Sequence, residues 1–147
     1  VRSGGLPLQA RTLNDATRHW ARGVLFWNLA LDENHGPHAG GCDTCRGVVT
    51  IDSHTGAVSR TNDYYALAHA SRFVRRDAWR IGSTPTRGGI DNVAFENADD
   101  GSRVLLVSNA NDASHVLSVR DGEREFRYVL PARSVATFRW AGSVSIP

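Results

Sequence analysis

The spacing of apolar residues along the chain changes near residue 78. Before that point the signals are mixed. Between Leu8 and Ala21, Leu13, Ala16, Trp20 and Ala21 recur at helical spacing with polar residues between them, which predicts an amphipathic helix. Gly23 to Leu31 follows as a nearly continuous apolar run interrupted by Asn28, the pattern of a strand covered on both faces. Asp32 to Gly47 is rich in Gly, His, Asn and Pro and reads as a long loop. Val48 to Ile51 and Ala57 to Arg60 predict a small hairpin turned by His54-Thr55-Gly56. Asn62 or Asp63 is placed to cap a helix over Tyr64 to Val74, with Tyr65, Ala68, His69 and Phe73 on its inner face.

After residue 78 the period becomes two. Trp79-Arg80-Ile81-Gly82 opens this part, and Asp91 to Glu96 alternates with Val93 and Phe95 on one face. Asp99-Asp100-Gly101 predicts a turn before a central strand, Val104 to Val107, and Asn109 to Ser114 a second turn region. Val116, Leu117 and Val119 form the next strand, closed by Asp121-Gly122. Phe126, Tyr128 and Leu130 alternate, and Pro131-Ala132 leads into a strand from Val135 to Trp140. Strands at roughly ten-residue spacing, separated by turn residues, predict an antiparallel β-sandwich. The expected division is 1–78, with α/β character, and 79–147, all β. A helix, a buried strand, a long loop and a helix make one parallel α/β unit, which needs neighbouring strands to close a sheet or barrel. The chain is therefore expected to be part of something larger.

Composition removes several function classes. The chain is 41% hydrophobic and 22% charged and holds four Trp, five Phe and three Tyr, enough apolar surface for a folded domain. The net charge is +2 and all 17 basic residues are Arg, scattered along the sequence rather than striped, so no nucleic-acid partner is expected. No apolar run approaches the roughly 18 residues of a membrane span. The sequence starts with Val, holds no Met, and Val1 to Leu8 has no basic segment followed by an apolar one, so no signal peptide is expected there.

The end of the apolar run and the loop after it hold the first candidate chemistry. In a barrel, ligands are handled at the C-terminal ends of strands, and an indole such as Trp27 can stack on the apolar face of a sugar or simply fill the core. Here the sequence resembles a known family. The run Arg22-Gly23-Val24-Leu25-Phe26-Trp27-Asn28-Leu29-Ala30-Leu31-Asp32-Glu33-Asn34, with Gly36-Pro37-His38 and Gly40-Gly41-Cys42-Asp43-Thr44-Cys45-Arg46-Gly47, resembles the last barrel strand and loop of family 30 glycoside hydrolases, the glucosylceramidase-like enzymes. The helix Tyr64 to Phe73 is similar to that family's final barrel helix, and Asp91 to Phe95 with Asp100-Gly101-Ser102 and Val104 to Asn109 to its C-terminal sandwich. The resemblance implies the last strand–helix unit of a (β/α)8 barrel followed by a β-sandwich. It also implies cleavage of a β-glycosidic bond with retention, on a glycoside or glycolipid reached through the complete barrel. Such an enzyme works outside the cell and uses no cofactor.

That reaction uses two carboxyl groups roughly 5–5.5 Å apart. In the family both are Glu on the fourth and seventh barrel strands, which would precede this chain. Glu33 falls in the loop, and Glu96, Glu123 and Glu125 in the sandwich, so no catalytic residue is expected here. Trp27 carries over as a wall of the sugar subsite, with Asn28 as its neighbour. His35 stands where a small residue such as Gly is expected.

Cys42 and Cys45 form C-x-x-C and, with His35 and His38, H-x-x-H-x-x-x-C-x-x-C, whose residue types suit a structural zinc site. Set in a loop resembling that of an exported hydrolase, the pair is expected as a disulfide instead, with free thiols a further alternative and no metal. His19, His54, His69 and His115 have no partner visible in sequence; His69 reads as a satisfied helix-face histidine. A second reading of the chain is a non-catalytic carbohydrate-binding sandwich, with Trp79 and Trp140 as stacking candidates that could equally close the core.

Overall fold

The computed structural model describes residues 5–142; the predicted domain ranges extend beyond these at both ends, and Val1 to Gly4 and Ser143 to Pro147 lie outside the described residues. The elements in order are α1 (Gly5–Arg18), β1 (Ala30–Leu31), β2 (Val49–Ile51), β3 (Val58–Arg60), α2 (Asn62–Ser71), β4 (Trp79–Ile81), β5 (Ile90–Glu96), β6 (Arg103–Asn109), β7 (His115–Asp121), β8 (Arg124–Leu130) and β9 (Ser134–Trp140). Antiparallel pairing builds a four-stranded sheet in the order β4-β5-β6-β9, and β7 and β8 form a two-stranded hairpin. A small sheet pairs β1 with β2 in parallel and β2 with β3 in antiparallel fashion.

The four-stranded sheet is covered on both faces, which is why β5 and β6 are buried at nearly every position. Ile90, Ala94, Leu105 and Val107 point to one face, where Leu117 of β7 and Leu130 of β8 close over them. Phe126 and Tyr128 meet Phe138 with ring centroids 5.1 and 5.2 Å apart. Val93, Phe95, Val104 and Leu106 point to the other face, against Leu13 of α1 and Ala70, Phe73 and Val74 at the end of α2. The alternation read for Val93 and Phe95 holds, and Val104 to Val107 lies in the central strand β6. Leu106 is 2% exposed, so Leu106→Ala removes a fully packed side chain at a cost of about 2–5 kcal/mol.

One face of the sheet thus shares a core with both helices and the other with the β7–β8 hairpin. Arg18, in the last turn of α1, reinforces the seam. Its Nη1 donates to Ser83 Oγ at 2.8 Å and to Asn92 O at 3.0 Å, and its Nη2 to Ser83 O at 3.0 Å. His69 of α2 hydrogen-bonds Thr137 Oγ1 of β9 at 2.9 Å, and burial pushes its pKa below the ordinary histidine value.

The first part departs from its expected pattern in four places. Helix α1 stops at Arg18, so Trp20 and Ala21 lie past its end rather than on its buried face. The apolar run forms a ladder only at Ala30–Leu31. Upstream, Val24 packs on the sheet, whereas Leu25, Trp27 and Leu29 are 98%, 76% and 77% exposed, because no described residue covers that face. The N-cap of α2 is Thr61, whose hydroxyl donates to Gly47 O and Val48 O instead of capping the helix, so neither Asn62 nor Asp63 has that place. The inner face of α2 is Ala66 and Ala70, continued by Phe73 and Val74, and Tyr65 is 46% exposed.

Candidate functional site

Beyond β1 the chain turns sharply. Asp32 Oδ1 accepts the amides of Asn34 at 2.9 Å and Gly36 at 2.7 Å, and Asp32 N donates to Gly36 O at 2.7 Å. A side-chain acceptor satisfying amides two and four residues ahead is what lets a loop turn without a ladder. His35 sits inside this turn with φ 64, a left-handed conformation that favours glycine, which accounts physically for the small residue expected there. Gly47 ends the loop where β1 and β2 cross closely. A Cβ on it would lie 2.5 Å from Val49 O and 2.7 Å from Leu31 N, so only glycine fits.

The loop is tied to the β2–β3 turn by Glu33. Its carboxylate accepts from Ser53 Oγ at 2.6 Å and Ser53 N at 2.9 Å, and these bonds hold its pKa below the ordinary glutamate value. The β2–β3 turn itself is organised by Asp52, which accepts from the amides of His54 and Thr55. Beside the loop, β2 and the start of α2 lies a cavity of about 240 Å³ lined by Leu31, Asp32, Glu33, His35, Arg46, Gly47, Thr50 and Thr61. Asp63, in the first turn of α2, has its carboxyl pushed up by burial, against a hydrogen bond from Gln9 and the nearby charge of Arg46. Carboxylates, an arginine, a histidine and two threonines around a small cavity make a lining that hydrogen-bonds hydroxyl groups.

Trp27 and Asn28 stand just upstream of this cavity and do not line it. The Trp27 ring is exposed; Asn28 is half-buried, has φ 59, and its carbonyl accepts the Val48 amide at 3.0 Å. Cys42 and Cys45 are joined as a disulfide with Cα atoms 5.4 Å apart. Among the described residues no three His, Cys, Asp or Glu side chains gather closely enough to hold a metal ion, so His35 and His38 do not complete a zinc set with the cysteines. Trp79 is 71% exposed, whereas Trp140 packs against the sandwich core, its Nε1 donating to Asp121 Oδ2 at 2.8 Å.

A carboxyl serving as general acid near neutral pH needs its pKa raised. Glu33 and Glu125 are shifted the other way; for Glu125 the causes are a hydrogen bond from Ser118 and then the Arg127 guanidinium. Glu96 faces Arg103 at 3.3 Å. Asp63 and Asp91 are both raised by burial, but neither figures among the charges that act on the other.

Sequence reasoning did not single out Asp32, Arg46, Thr50 or Thr61. Asp32 carried a usable signal, an Asp four residues before a Gly-Pro. Arg46, Thr50 and Thr61 are brought to the cavity only by the pairing of β1 with β2 and the start of α2.

No described helix is long and apolar enough to cross a membrane. Residues 77–138 match the glycosyl hydrolase family 30 β-sandwich domain. The chain is 37% identical over 116 residues to an endo-1,6-β-D-glucanase of Neurospora crassa, covering 72% of this chain and 24% of that protein. It is 35% identical over 130 residues to an endo-1,6-β-D-glucanase of Trichoderma harzianum, covering 82% and 26%. The chain thus spans about a quarter of the length of these relatives. Among solved structures it matches an endo-β1,6-glucanase at 38% identity with a TM-score of 0.81, covering 92% of this chain and 31% of that one. It also matches SrfJ from Salmonella typhimurium at 26% identity with a TM-score of 0.86, covering 94% and 31%. The shared sandwich and these relatives agree with the motif reading of the sandwich strands, and residues 77–138 are a glycosyl hydrolase family 30 β-sandwich domain.

Proposed function

We propose that this chain is the non-catalytic C-terminal part of a secreted, retaining β-glycosidase acting on β-1,6-linked glucan. Residues up to 78 are the last strand–helix unit of a (β/α)8 barrel, and the sandwich begins at 79, close to the start of the family match at 77. The observation that carries the reading is the segment from Val24 to Leu29, anchored on the sheet by Val24 and bare at Leu25, Trp27 and Leu29. Three large apolar side chains left in water forgo about 1.5–3 kcal/mol each. A neighbouring barrel strand would recover that energy and bring Trp27 to the pocket end of the barrel.

The names of the relatives favour a β-1,6-glucan over the glycolipid of a glucosylceramidase-like enzyme. In this reading the indole of Trp27 covers C–H surface of the sugar, its ring N–H donates to a hydroxyl, and Asn28 holds the strand backbone beside it. The polar lining beyond β1 receives hydroxyls of the adjoining glucosyl unit. The acid and the nucleophile come from earlier barrel strands.

The test is Trp27→Ala in a protein that carries the whole barrel. Loss of a stacking contact that tightens in the transition state lowers kcat/KM by about 100-fold, roughly 2.7 kcal/mol, with kcat reduced as well as KM raised. A variant with a lower Tm and unchanged kcat/KM would make Trp27 a packing residue and remove it from the site.

A further inference from the structure

Two polar side chains stand in the core where packing alone asks for apolar ones. Helix α1 buries Pro7, Ala10, Leu13 and Asn14, and of these Asn14 has the polar side chain. Asparagine inside a helix competes with the backbone for hydrogen bonds and forms helix less readily than leucine or alanine, so local preference does not put it there. On β6, Val104 and Leu106 turn toward the helices. The two-residue period of a strand sends Ser108 to the same face. Asn14 is 1% exposed and Ser108 0%.

The fold brings these two side chains to one place. Asn14 Nδ2 donates to Asp91 O at 3.5 Å, and Asp91 stands directly opposite Ser108 in the β5–β6 ladder. The Asn14 amide thus lies over the strand pair from which the Ser108 hydroxyl rises. Asn14 Oδ1 and Ser108 Oγ are both closed to solvent, and neither has a hydrogen-bond partner among the described residues. A carbonyl and a hydroxyl left unpaired in a core lose their hydration without return, and buried groups of this kind are normally paired with protein or with ordered water.

We propose that a water molecule is bound in the seam between α1 and the sheet, donating one hydrogen to Asn14 Oδ1 and sharing a hydrogen bond with Ser108 Oγ. Burial sets the size of the ligand. Both atoms are already closed off within this chain, so no segment of a larger protein is needed to cover them or has a path to them. Water carries two donors and two acceptors, which match a carbonyl acceptor and a hydroxyl that can play either part. An apolar guest would leave both atoms unpaired. A bridging water is nearly as favourable in enthalpy as a direct hydrogen bond. It therefore ties α1 to β6 beside the direct bonds that Arg18 makes to Ser83 and Asn92. The site does not depend on the glycosidase reading.

The experiment is a crystal structure of the chain that shows ordered water, together with water-oxygen magnetic relaxation dispersion of the chain and of Ser108→Ala in solution. The expected result is water density within hydrogen-bonding distance of both atoms, and one long-lived water fewer in the variant. Urea unfolding supplies the sign. Alanine fits the space of serine, so the variant folds, but it gives up a hydroxyl that holds the water. Its folding equilibrium constant falls about fivefold, the worth of one hydrogen bond. A hydroxyl with no partner would behave in the opposite way, because its removal relieves a buried polar group and leaves the urea midpoint unchanged or raised. An unchanged or raised midpoint therefore overturns the proposal. A direct Asn14–Ser108 hydrogen bond with no water in the seam, or an unchanged number of long-lived waters in Ser108→Ala, overturns it as well.

Discussion

Asn97 offers the sharpest test of how the helices are joined to the sandwich. The side chain is fully buried at the end of β5. Its Nδ2 donates to Phe73 O at 3.0 Å and to Ser102 Oγ at 2.9 Å, and its Oδ1 accepts the Arg75 amide at 2.8 Å. One side chain therefore satisfies two backbone groups in the exit of α2 and the hydroxyl that opens β6. Asn97→Ala removes three hydrogen bonds and leaves a carbonyl and an amide without partners where little water reaches, while Ser102 Oγ keeps the bond from Arg139 Nε at 3.1 Å. At about 1 kcal/mol per bond, with more for partners left desolvated, the loss is about 3–4 kcal/mol. For a chain of this length that lowers the Tm by roughly 6–16 °C. Thermal melts and urea unfolding followed by circular dichroism measure it. Asn97→Asp keeps one acceptor but buries a charge, so it destabilises at least as much. A loss under about 1 kcal/mol for Asn97→Ala would refute this account of the junction.

Two further predictions concern single groups. The hydroxyl and amide of Ser102, with Arg75 and Arg139 nearby, hold the Asp100 carboxyl at a pKa of about 2, below its ordinary 3.8. A depressed carboxylate adds stability above its unfolded value that is lost as pH falls toward the folded one. The urea midpoint of the chain therefore declines between pH 4 and 2, and Asp100→Asn flattens that decline; an equal decline in the variant refutes the assignment. For the cysteines, thiol titration of the unreduced, denatured chain finds no free thiol and metal analysis finds no zinc. Stoichiometric zinc released by a chelator contradicts the disulfide.

Elements whose packing partners lie within the chain were legible from the sequence. β5 to β9 and the existence of both helices follow from local period and turn residues, because each buries its apolar side against a neighbour nearby, and the β2–β3 hairpin follows from its turn residues. The errors came where a local rule was overruled. Trp20 fits a helical face by spacing, yet a cap closes the helix before it. Leu25 to Leu29 carries the composition of a doubly covered strand, but among the described residues the cover is present on one side only. At the candidate site, Trp27 stood out as an aromatic at a strand end, whereas Arg46 and Thr61 are brought to the cavity by pairings that no local pattern encodes. The joining of α1 to the sheet through Arg18, Ser83 and Asn92 spans more than 60 residues and is equally silent in the sequence.

Under the proposed function, this chain supplies a sugar-contacting wall and a sandwich, and the reacting carboxyl pair comes from earlier barrel strands. The direct measurement is turnover of β-1,6-glucan and of an aryl β-glucoside by the purified chain at high concentration. The expected result is no hydrolysis above the buffer rate, since the shifts of Glu33 and Glu125 run opposite to what a general acid requires. Measurable turnover by the chain, abolished in Glu33→Gln, would contradict it and put the chemistry in the loop after β1.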